Sequence, residues 1–167
     1  MMTLRECMQS TTVSIILSLA SATAALAGSQ EERRRLTPSD IAVMAKSGAG
    51  AGTSGVSGIQ TTVLSGDPTA AGPYTIALRV PAHTKIAAHT HRDDRAAVVI
   101  SGVWFFGYGP SADETEAKVL KPGSFYTEPA DAPHFAMTRD EPAVVYITGF
   151  GPTDTHYIDA AADPRRP

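Results

Sequence analysis

The sequence predicts an all-β domain, either a sandwich of two sheets or a closed barrel built from hairpins. Two observations carry this prediction. After about residue 59 the chain consists of short apolar runs rich in Val, Ile, Thr and aromatic residues, and none of them has a helical period. Turn signals such as GDP, VPA, KPG and EPADAP separate the runs, as they do in antiparallel sheets.

The amino terminus has the three parts of a secretory signal peptide. Arg5 gives a positively charged start, residues 13–27 are almost all apolar or small, and an A-x-A cleavage site precedes Gly28. A membrane-spanning helix needs roughly 20 apolar residues, and this run is shorter and ends in small residues. We therefore predict an exported protein, periplasmic or secreted, that loses residues 1–27 and has no membrane contact after cleavage.

The composition of the mature chain excludes several classes of function. Removal of the signal leaves roughly 140 residues, which is the size of one domain. The formal net charge of −3 is unchanged by this removal and gives no indication of nucleic-acid binding. Cys7 is the only cysteine and lies before the cleavage site, so the mature protein has no disulfide, thiolate metal site or cysteine nucleophile.

Residues 28–58 have the composition of a flexible amino-terminal segment. The sequence Thr37-Pro38-Ser39-Asp40 is a start signal for a short helix. The Gly/Ala/Ser-rich run that follows is predicted to be a flexible coil, because glycine is costly to order and few side chains there would bury area in return.

The predicted barrel covers residues 59–155, and residues 156–167 are interpreted as a polar carboxy-terminal tail. The expected strands are TTVL (61–64), YTIALRV (74–80), KIAAHTH (85–91), AAVVI (96–100), VWFFGY (103–108), KVL (118–120), SFYTE (124–128), HFAMT (134–138) and AVVYITGF (143–150).

Two of the five histidines have a spacing that suits joint metal binding. His89 and His91 are two residues apart, and alternate residues of a strand project from the same face. On the inward face of a barrel this pair would offer two imidazoles to one ion. Spacing alone is weak support, because histidines two apart also arise by chance and face solvent.

The residues around the pair make the pattern more specific. PAHTKIAAHTHRDDRAAVVISG followed by KPGSFYTEPADAPHFAMT resembles the two motifs of the cupin family, G-x5-H-x-H-x3,4-E-x6-G and G-x5-P-x-G-x2-H-x3-N. The matching residues are His89, His91 and Gly102 in the first motif and Gly123, Pro129 and His134 in the second. The resemblance implies a small jelly-roll β-barrel. Inside it, a divalent metal ion (Fe, Zn, Mn, Ni or Cu) would be held by the three histidines.

Four positions depart from the family pattern. His83, Asp131 and Thr138 replace a glycine, a glycine and an asparagine, and we interpret these changes as benign, since Asp suits tight turns. The fourth is Arg95, which stands where the family has the glutamate that completes the metal site. A guanidinium stays protonated and has no lone pair to offer, so Arg95 is not a ligand and the expected site has three neutral imidazoles.

Two interpretations of Arg95 remain open at this point. Either it reaches the pocket and pairs with a carboxylate or enolate of a substrate, or it points outward and pairs with Asp93 or Asp94. Strand parity places Arg95, four residues after His91, on the pocket side if the strand continues through the intervening turn.

Glu128 is the candidate substitute carboxylate, because it ends a strand that borders the His134 loop. It would complete the coordination, act as a general base or neutralise Arg95; the alternative is a rim residue paired with a lysine. Tyr126 lies two residues before Glu128, so it projects from the same face of the strand and would line the same cavity. Arg95, Glu128 and Tyr126 are therefore the predicted catalytic residues.

The remaining histidines and aromatic residues have simpler interpretations. His83 follows a proline turn and His156 lies in the polar tail, so both are predicted to be exposed. Trp104, Phe105 and Phe106 cover both faces of one strand. One face would pack in the core and the other against a second subunit, and we therefore expect a homodimer.

Together these features predict an exported metal-binding protein that acts on a small organic, anionic molecule. Iron(II) held by three imidazoles with open positions would suit a dioxygenase, and zinc or manganese would suit an isomerase, a lyase or a hydrolase. The alternative is a non-enzymatic periplasmic module that binds a small ligand or a metal.

Overall fold

The structure is a computed structural model that describes residues 33–48 and 50–166. The predicted signal peptide, residues 1–27, lies outside the described residues, as does the beginning of the 28–58 segment. Among the described residues, no helix has both the length and the apolar character that are needed to cross a membrane.

One short α-helix, ten strands and two 3₁₀ helices, at Glu114–Glu116 and Ala160–Ala162, make up the described fold. Helix α1 spans Pro38–Val43, and the strands are β1 (Gln60–Ser65), β2 (Gly72–Val80), β3 (Lys85–Thr90), β4 (Arg95–Ser101), β5 (Trp104–Tyr108), β6 (Lys118–Leu120), β7 (Phe125–Glu128), β8 (His134–Met137), β9 (Ala143–Gly151) and β10 (His156–Tyr157). Each of the nine predicted runs overlaps one of the strands β1 to β9, so the all-β prediction is confirmed.

The strands form two five-stranded antiparallel sheets. Sheet I has the order β1-β2-β9-β4-β7, and sheet II has the order β10-β3-β8-β5-β6. Side chains alternate between the two faces of each sheet: on β4, Arg95, Ala97 and Val99 are buried, whereas Val98 and Ile100 are exposed. The two buried faces meet in one apolar core.

The aromatic run on β5 illustrates this alternation. Trp104 and Phe106 are buried in the core at 2% and 4% exposure. Phe105 points to the outer face of sheet II, where the Arg139 guanidinium lies 4.7 Å from its ring centroid. The core part of the prediction for this strand is confirmed, and its outer face is partly covered by the chain itself.

Helix α1 begins where the sequence predicted it. Thr37 is the N-cap: the backbone N–H of Asp40 donates to Thr37 Oγ1 at 3.3 Å, and the backbone N–H of Thr37 donates to Asp40 Oδ2 at 2.7 Å. Ile41 packs against Leu64 and Ala77, so the helix covers the outer face of sheet I at β1 and β2.

The Gly/Ser-rich segment before β1 differs from the predicted flexible coil. Ser47 pairs with Thr61 of β1 through two backbone hydrogen bonds of 2.8 Å, and Thr53 and Ser54 are buried. Few side chains of this segment pack, as expected, but its carbonyl groups are bound by side chains of the barrel. We call residues 52–54 the strap, since they lie across the end of the barrel interior.

The carboxy-terminal residues also differ from the predicted tail. His156 and Tyr157 form strand β10, which pairs with Thr90 and His89 of β3. The Tyr157 hydroxyl donates to the carbonyl of Ser54 at 2.6 Å. A strand of two residues has no periodic pattern to detect, so the barrel extends past residue 155 without a signal in the sequence.

Candidate metal centre

Three histidines converge on the inner face of sheet II. His89 lies on β3, His134 opens β8 and is the register partner of His89, and His91 follows β3 directly. The three side chains are buried, and their ring centroids lie 4.4 to 5.1 Å apart. One nitrogen from each ring lies within 4.8 Å of those from the other two. The spacing of two along β3 and the pairing of β3 with β8 therefore place all three imidazoles at one point.

Backbone carbonyls orient the three rings. Nδ1 of His89 donates to the carbonyl of Ala87 at 2.8 Å, and Nδ1 of His134 donates to the carbonyl of Ala132 at 3.0 Å. Nδ1 of His91 donates to the carbonyl of Asp154. Because a neutral imidazole carries one proton, these contacts put the lone pair on Nε2 of each ring.

The Nε2 atoms have the properties of metal ligands. Those of His91 and His134 are buried and have no hydrogen-bond partner among the described residues. Burial, followed by the proximity of His134, lowers the pKa of His89 to about 3, and burial lowers the pKa of His91 and His134 below the ordinary value. The imidazoles are neutral near pH 7, so their lone pairs are available to a divalent ion.

An ion pair from sheet I faces the histidines. Arg95 on β4 and Glu128 on β7 are register partners, and both are nearly fully buried. Arg95 Nε donates to Glu128 Oε2 at 2.6 Å, Nη2 contacts the same oxygen, and Nη1 donates to the carbonyl of Gly52 at 3.0 Å. Although burial alone would raise it, Arg95 holds the pKa of Glu128 below its ordinary value.

These contacts decide between the two interpretations of Arg95. It faces the pocket, and the outward interpretation does not hold, because the Asp93 carboxylate accepts instead from the hydroxyls of Tyr74 at 2.8 Å and Thr153 at 2.6 Å. Its partner, however, is Glu128 rather than an open position for a substrate anion. The interpretation of Glu128 as a rim residue paired with a lysine also fails, since the carboxylate is buried against Arg95.

Glu128 is the acidic side chain nearest to the histidines among the described residues that line the cavity. Its Oε2 lies 3.8 Å from Nε2 of His91 and 3.7 Å from Nε2 of His134. The site therefore consists of neutral nitrogen donors from one sheet and a carboxylate with its counter-cation from the other.

The cavity at the centre is small, with a volume of about 20 Å³. That is room for one or two waters. Gly52 and Ser54 of the strap contribute to its lining, and Thr155 Oγ1 donates to the carbonyl of Thr53 at 3.0 Å. The strap therefore borders the small cavity beside the histidines.

Tyr126 lines the same cavity, as its parity predicted. It is buried at 7% exposure, and its hydroxyl has no hydrogen-bond partner among the described residues. Burial, and then the Glu128 carboxylate, raise the pKa of Tyr126 well above the ordinary value, so it keeps its proton. Its ring packs on Phe106 at 4.2 Å between centroids, and Phe106 stacks on His134 at 5.5 Å.

The other two histidines lie apart from this centre, as predicted. His83 is exposed in a turn with a φ of 55°. His156 is exposed, and its Nε2 lies 3.0 Å from Asp154 Oδ2. Sequence reasoning missed Gly52 and Thr155, which touch the site through contacts with Arg95 and with the ring of His91 (3.3 Å from Thr155 Oγ1 to Nδ1). No local pattern marks either residue.

Solved structures resemble this architecture. The polyketide cyclase RemF from Streptomyces resistomycificus is similar over 80% of this chain and 90% of its own, with a TM-score of 0.61 and 16% sequence identity. An RmlC-like cupin from Shewanella frigidimarina is similar over 72% of this chain and 93% of its own, with a TM-score of 0.53 and 14% identity. The chain has the cupin fold.

A third cupin structure is similar over a shorter stretch. It is a sugar phosphate isomerase from Silicibacter pomeroyi, with 20% identity and a TM-score of 0.47 over 60% of this chain. The chain spans 65% of that protein, slightly less than two thirds. No protein-family model matches the sequence, and no curated protein matches it either.

Proposed function

We propose that this cupin is an exported metal-binding protein that acts on a small organic molecule at an ion held by His89, His91 and His134. The observation that supports the proposal is the convergence of three buried, neutral imidazoles, each with Nδ1 bound by a backbone carbonyl. This arrangement leaves three Nε2 lone pairs directed at one small cavity, which suits a divalent ion with open coordination positions.

When bound, the ion would supply either oxygen activation, as iron(II), or Lewis-acid polarisation of a carbonyl, as zinc or manganese. The chain's own residues contribute a dry, apolar wall at Phe106 and a protonated hydroxyl at Tyr126. Tyr126 is the available proton donor to a substrate in this cavity. These features favour an enzyme of the dioxygenase or isomerase type.

The alternative is a non-enzymatic binding module, and the small cavity favours it. A space of about 20 Å³ beneath the strap does not admit an organic substrate unless Gly52 and Ser54 move. Oxygen consumption or substrate turnover by the metal-loaded protein would support the enzyme. Thermal stabilisation by the metal without turnover of candidate carbonyl compounds or oxygen would support the binding module.

The metal centre itself is tested by single substitutions to Ala at His89, His91 and His134. Each leaves two imidazoles, so stoichiometric metal binding should be lost, as measured by elemental analysis and competitive chelator titration at fixed pH. His83→Ala and His156→Ala are the matched controls and should bind as the parent does, since both side chains are exposed and distant from the cavity lining. Parent-like binding by His134→Ala would refute the three-histidine centre.

A further inference from the structure

Glu128 occupies a place in the cavity that an ion-pair role alone does not explain. We propose that Glu128 is a fourth protein ligand of the metal ion, so that the carboxylate comes from β7 and faces the three histidines of sheet II. The proposal rests on the metal centre described above and deepens it. It is carried by the position of Glu128 Oε2, by the charge of the cavity and by the way Arg95 holds the carboxylate.

The position of Oε2 suits coordination. Donor atoms about 2.0–2.2 Å from a tetrahedral ion lie roughly 3.4 Å from one another. Oε2 lies 3.8 Å from Nε2 of His91 and 3.7 Å from Nε2 of His134, within a few tenths of an ångström of that spacing. Both nitrogens are buried and lack a partner among the described residues, so the carboxylate and the two free lone pairs point at the same small space.

The charge of the cavity gives a second reason. Three neutral imidazoles contribute no charge to balance a divalent ion in a buried site, and burial of an unpaired charge is costly. Among the described lining residues, Glu128 is the one carboxylate, and its buried ion pair with Arg95 requires the ionised form. The nearby Asp93 carboxylate accepts hydrogen bonds from the hydroxyls of Tyr74 and Thr153.

Arg95 holds the carboxylate without using all of it. Both contacts from Arg95 reach Oε2, and no hydrogen bond from the described residues reaches Oε1. An ionised carboxylate offers about four lone-pair sites, so Glu128 keeps acceptor capacity for an ion beside its two contacts from Arg95, which fix its orientation. Arg95 is itself held by the carbonyl of Gly52 and by the β4–β7 register.

The decisive experiment removes the carboxylate without leaving a buried charge. In Arg95→Met/Glu128→Met, a hydrophobic pair of similar volume replaces the ion pair, and such replacements commonly preserve folding. All three histidines remain. We expect zinc affinity, measured by chelator competition, to fall by at least the roughly 10–100-fold that loss of an outer-shell partner costs, since a direct ligand is removed. The visible spectrum of the cobalt(II) form should also change, because the ion loses one ligand.

Two further variants test whether the carboxylate itself is responsible for the change in affinity. Arg95→Glu/Glu128→Arg exchanges the register partners and returns a carboxylate to the same cavity from β4, so affinity should lie within a few-fold of the parent. Lys85→Met/Glu114→Met removes an ion pair from the surface and should leave affinity unchanged. If either cavity variant fails to fold, the single substitution Glu128→Gln measures the loss of the carboxylate in a protein that is otherwise unchanged and keeps Arg95.

The outcomes separate this proposal from the proposed function. Parent-like zinc affinity and an unchanged cobalt spectrum in Arg95→Met/Glu128→Met, or parent-like affinity in Glu128→Gln, would overturn the role of Glu128 and leave the three-histidine centre standing. Parent-like binding in the single histidine variants would instead overturn the centre itself. Loss of affinity in the carboxylate variants together with retention in the exchanged variant would establish Glu128 as the fourth ligand.

Discussion

The two sheets contribute opposite kinds of chemistry to the same cavity. Sheet II supplies His89 and His134, with His91 at the end of β3, as neutral donors that are each held by a backbone carbonyl. Sheet I supplies Arg95 and Glu128, two buried charges that depend on each other. A histidine can therefore be removed without leaving a charge, whereas neither member of the ion pair can. We infer that sheet II supplies the neutral donors of the metal centre, and that the pair on sheet I, besides the proposed fourth ligand, carries much of the local stability.

The largest effect should come from breaking the ion pair on one side only. Arg95→Met leaves Glu128 buried without its cation, and loss of one partner of a buried pair costs about 3–5 kcal/mol. The free energy of unfolding of the metal-free protein should fall by this amount, as measured by urea denaturation. The carbonyl of Gly52 also loses its donor, so the strap should become more accessible to proteolysis.

The matched control for this prediction is Arg95→Met/Glu128→Met. It removes both charges and should recover most of the lost stability, because no uncompensated carboxylate remains. His134→Leu provides the comparison with sheet II: it removes a neutral ring and should change stability less than Arg95→Met while abolishing metal binding. Equal destabilisation by Arg95→Met and by the double variant would show that the two charges do not depend on each other.

The next effect is a loss of stability in acid, and it comes from sheet II. The pKa of His89 is about 3 in the folded protein and about 6.5 in the unfolded chain, so between these values the unfolded state binds more protons. The contribution of His89 to the free energy of unfolding is therefore fully present above about pH 6.5 and is lost as the pH decreases towards 3. His89 alone should account for about 1.4 kcal/mol at pH 5.5, and His91 and His134 act in the same direction.

Urea denaturation of the metal-free protein at pH 7.5 and 5.5 measures this loss. His89→Leu should lose about 1.4 kcal/mol less than the parent between the two pH values, because one titrating ring is gone. His83→Leu is the control for loss of an imidazole outside the cavity, since this ring is exposed and lies apart from the three histidines. An identical pH dependence in parent and His89→Leu would contradict a buried neutral imidazole.

The same division explains which parts of the site were predictable. The histidines of sheet II could be found because alternation along β3 is a local pattern and because the flanking residues resemble the cupin motifs. The pairing of Arg95 with Glu128 is one of the roles considered for Glu128, but the sequence could not choose among them, since the pairing depends on the register between β4 and β7 across 33 positions of sequence. Alternation along a strand indicates the face of the sheet on which a side chain lies, but it does not indicate which side chain of another strand it contacts.

The strap shows a second limit of sequence reasoning. Glycine and serine predict flexibility from their own small side chains, yet Thr53 and Ser54 are buried. Their order comes from Arg95, Thr155 and Tyr157, which bind the three consecutive carbonyls from 43 to 103 positions away. Backbone groups that are satisfied by distant side chains leave no mark in local composition.

The outer faces of the two sheets also differ, and this difference bears on association. On sheet II, Phe105 is half-buried beneath Arg139. On sheet I, Val98, Ile100 and Phe125 are 37%, 40% and 63% exposed, and Val98 is the register partner of Phe125. The sequence placed a subunit contact on the strand that contains Phe105, whereas three exposed apolar side chains lie together on β4 and β7.

The smallest expected effect therefore concerns a homodimer formed through sheet I. Phe125→Ser should weaken association roughly tenfold, or about 1.4 kcal/mol, because an apolar ring that a second subunit would cover is lost. Phe105→Ser, on sheet II, should leave association unchanged. Light scattering and sedimentation from low to high micromolar concentration measure both. Weakening by Phe105→Ser alone would move the interface to sheet II, as the sequence first suggested, and a monomeric parent at high micromolar concentration would remove the dimer.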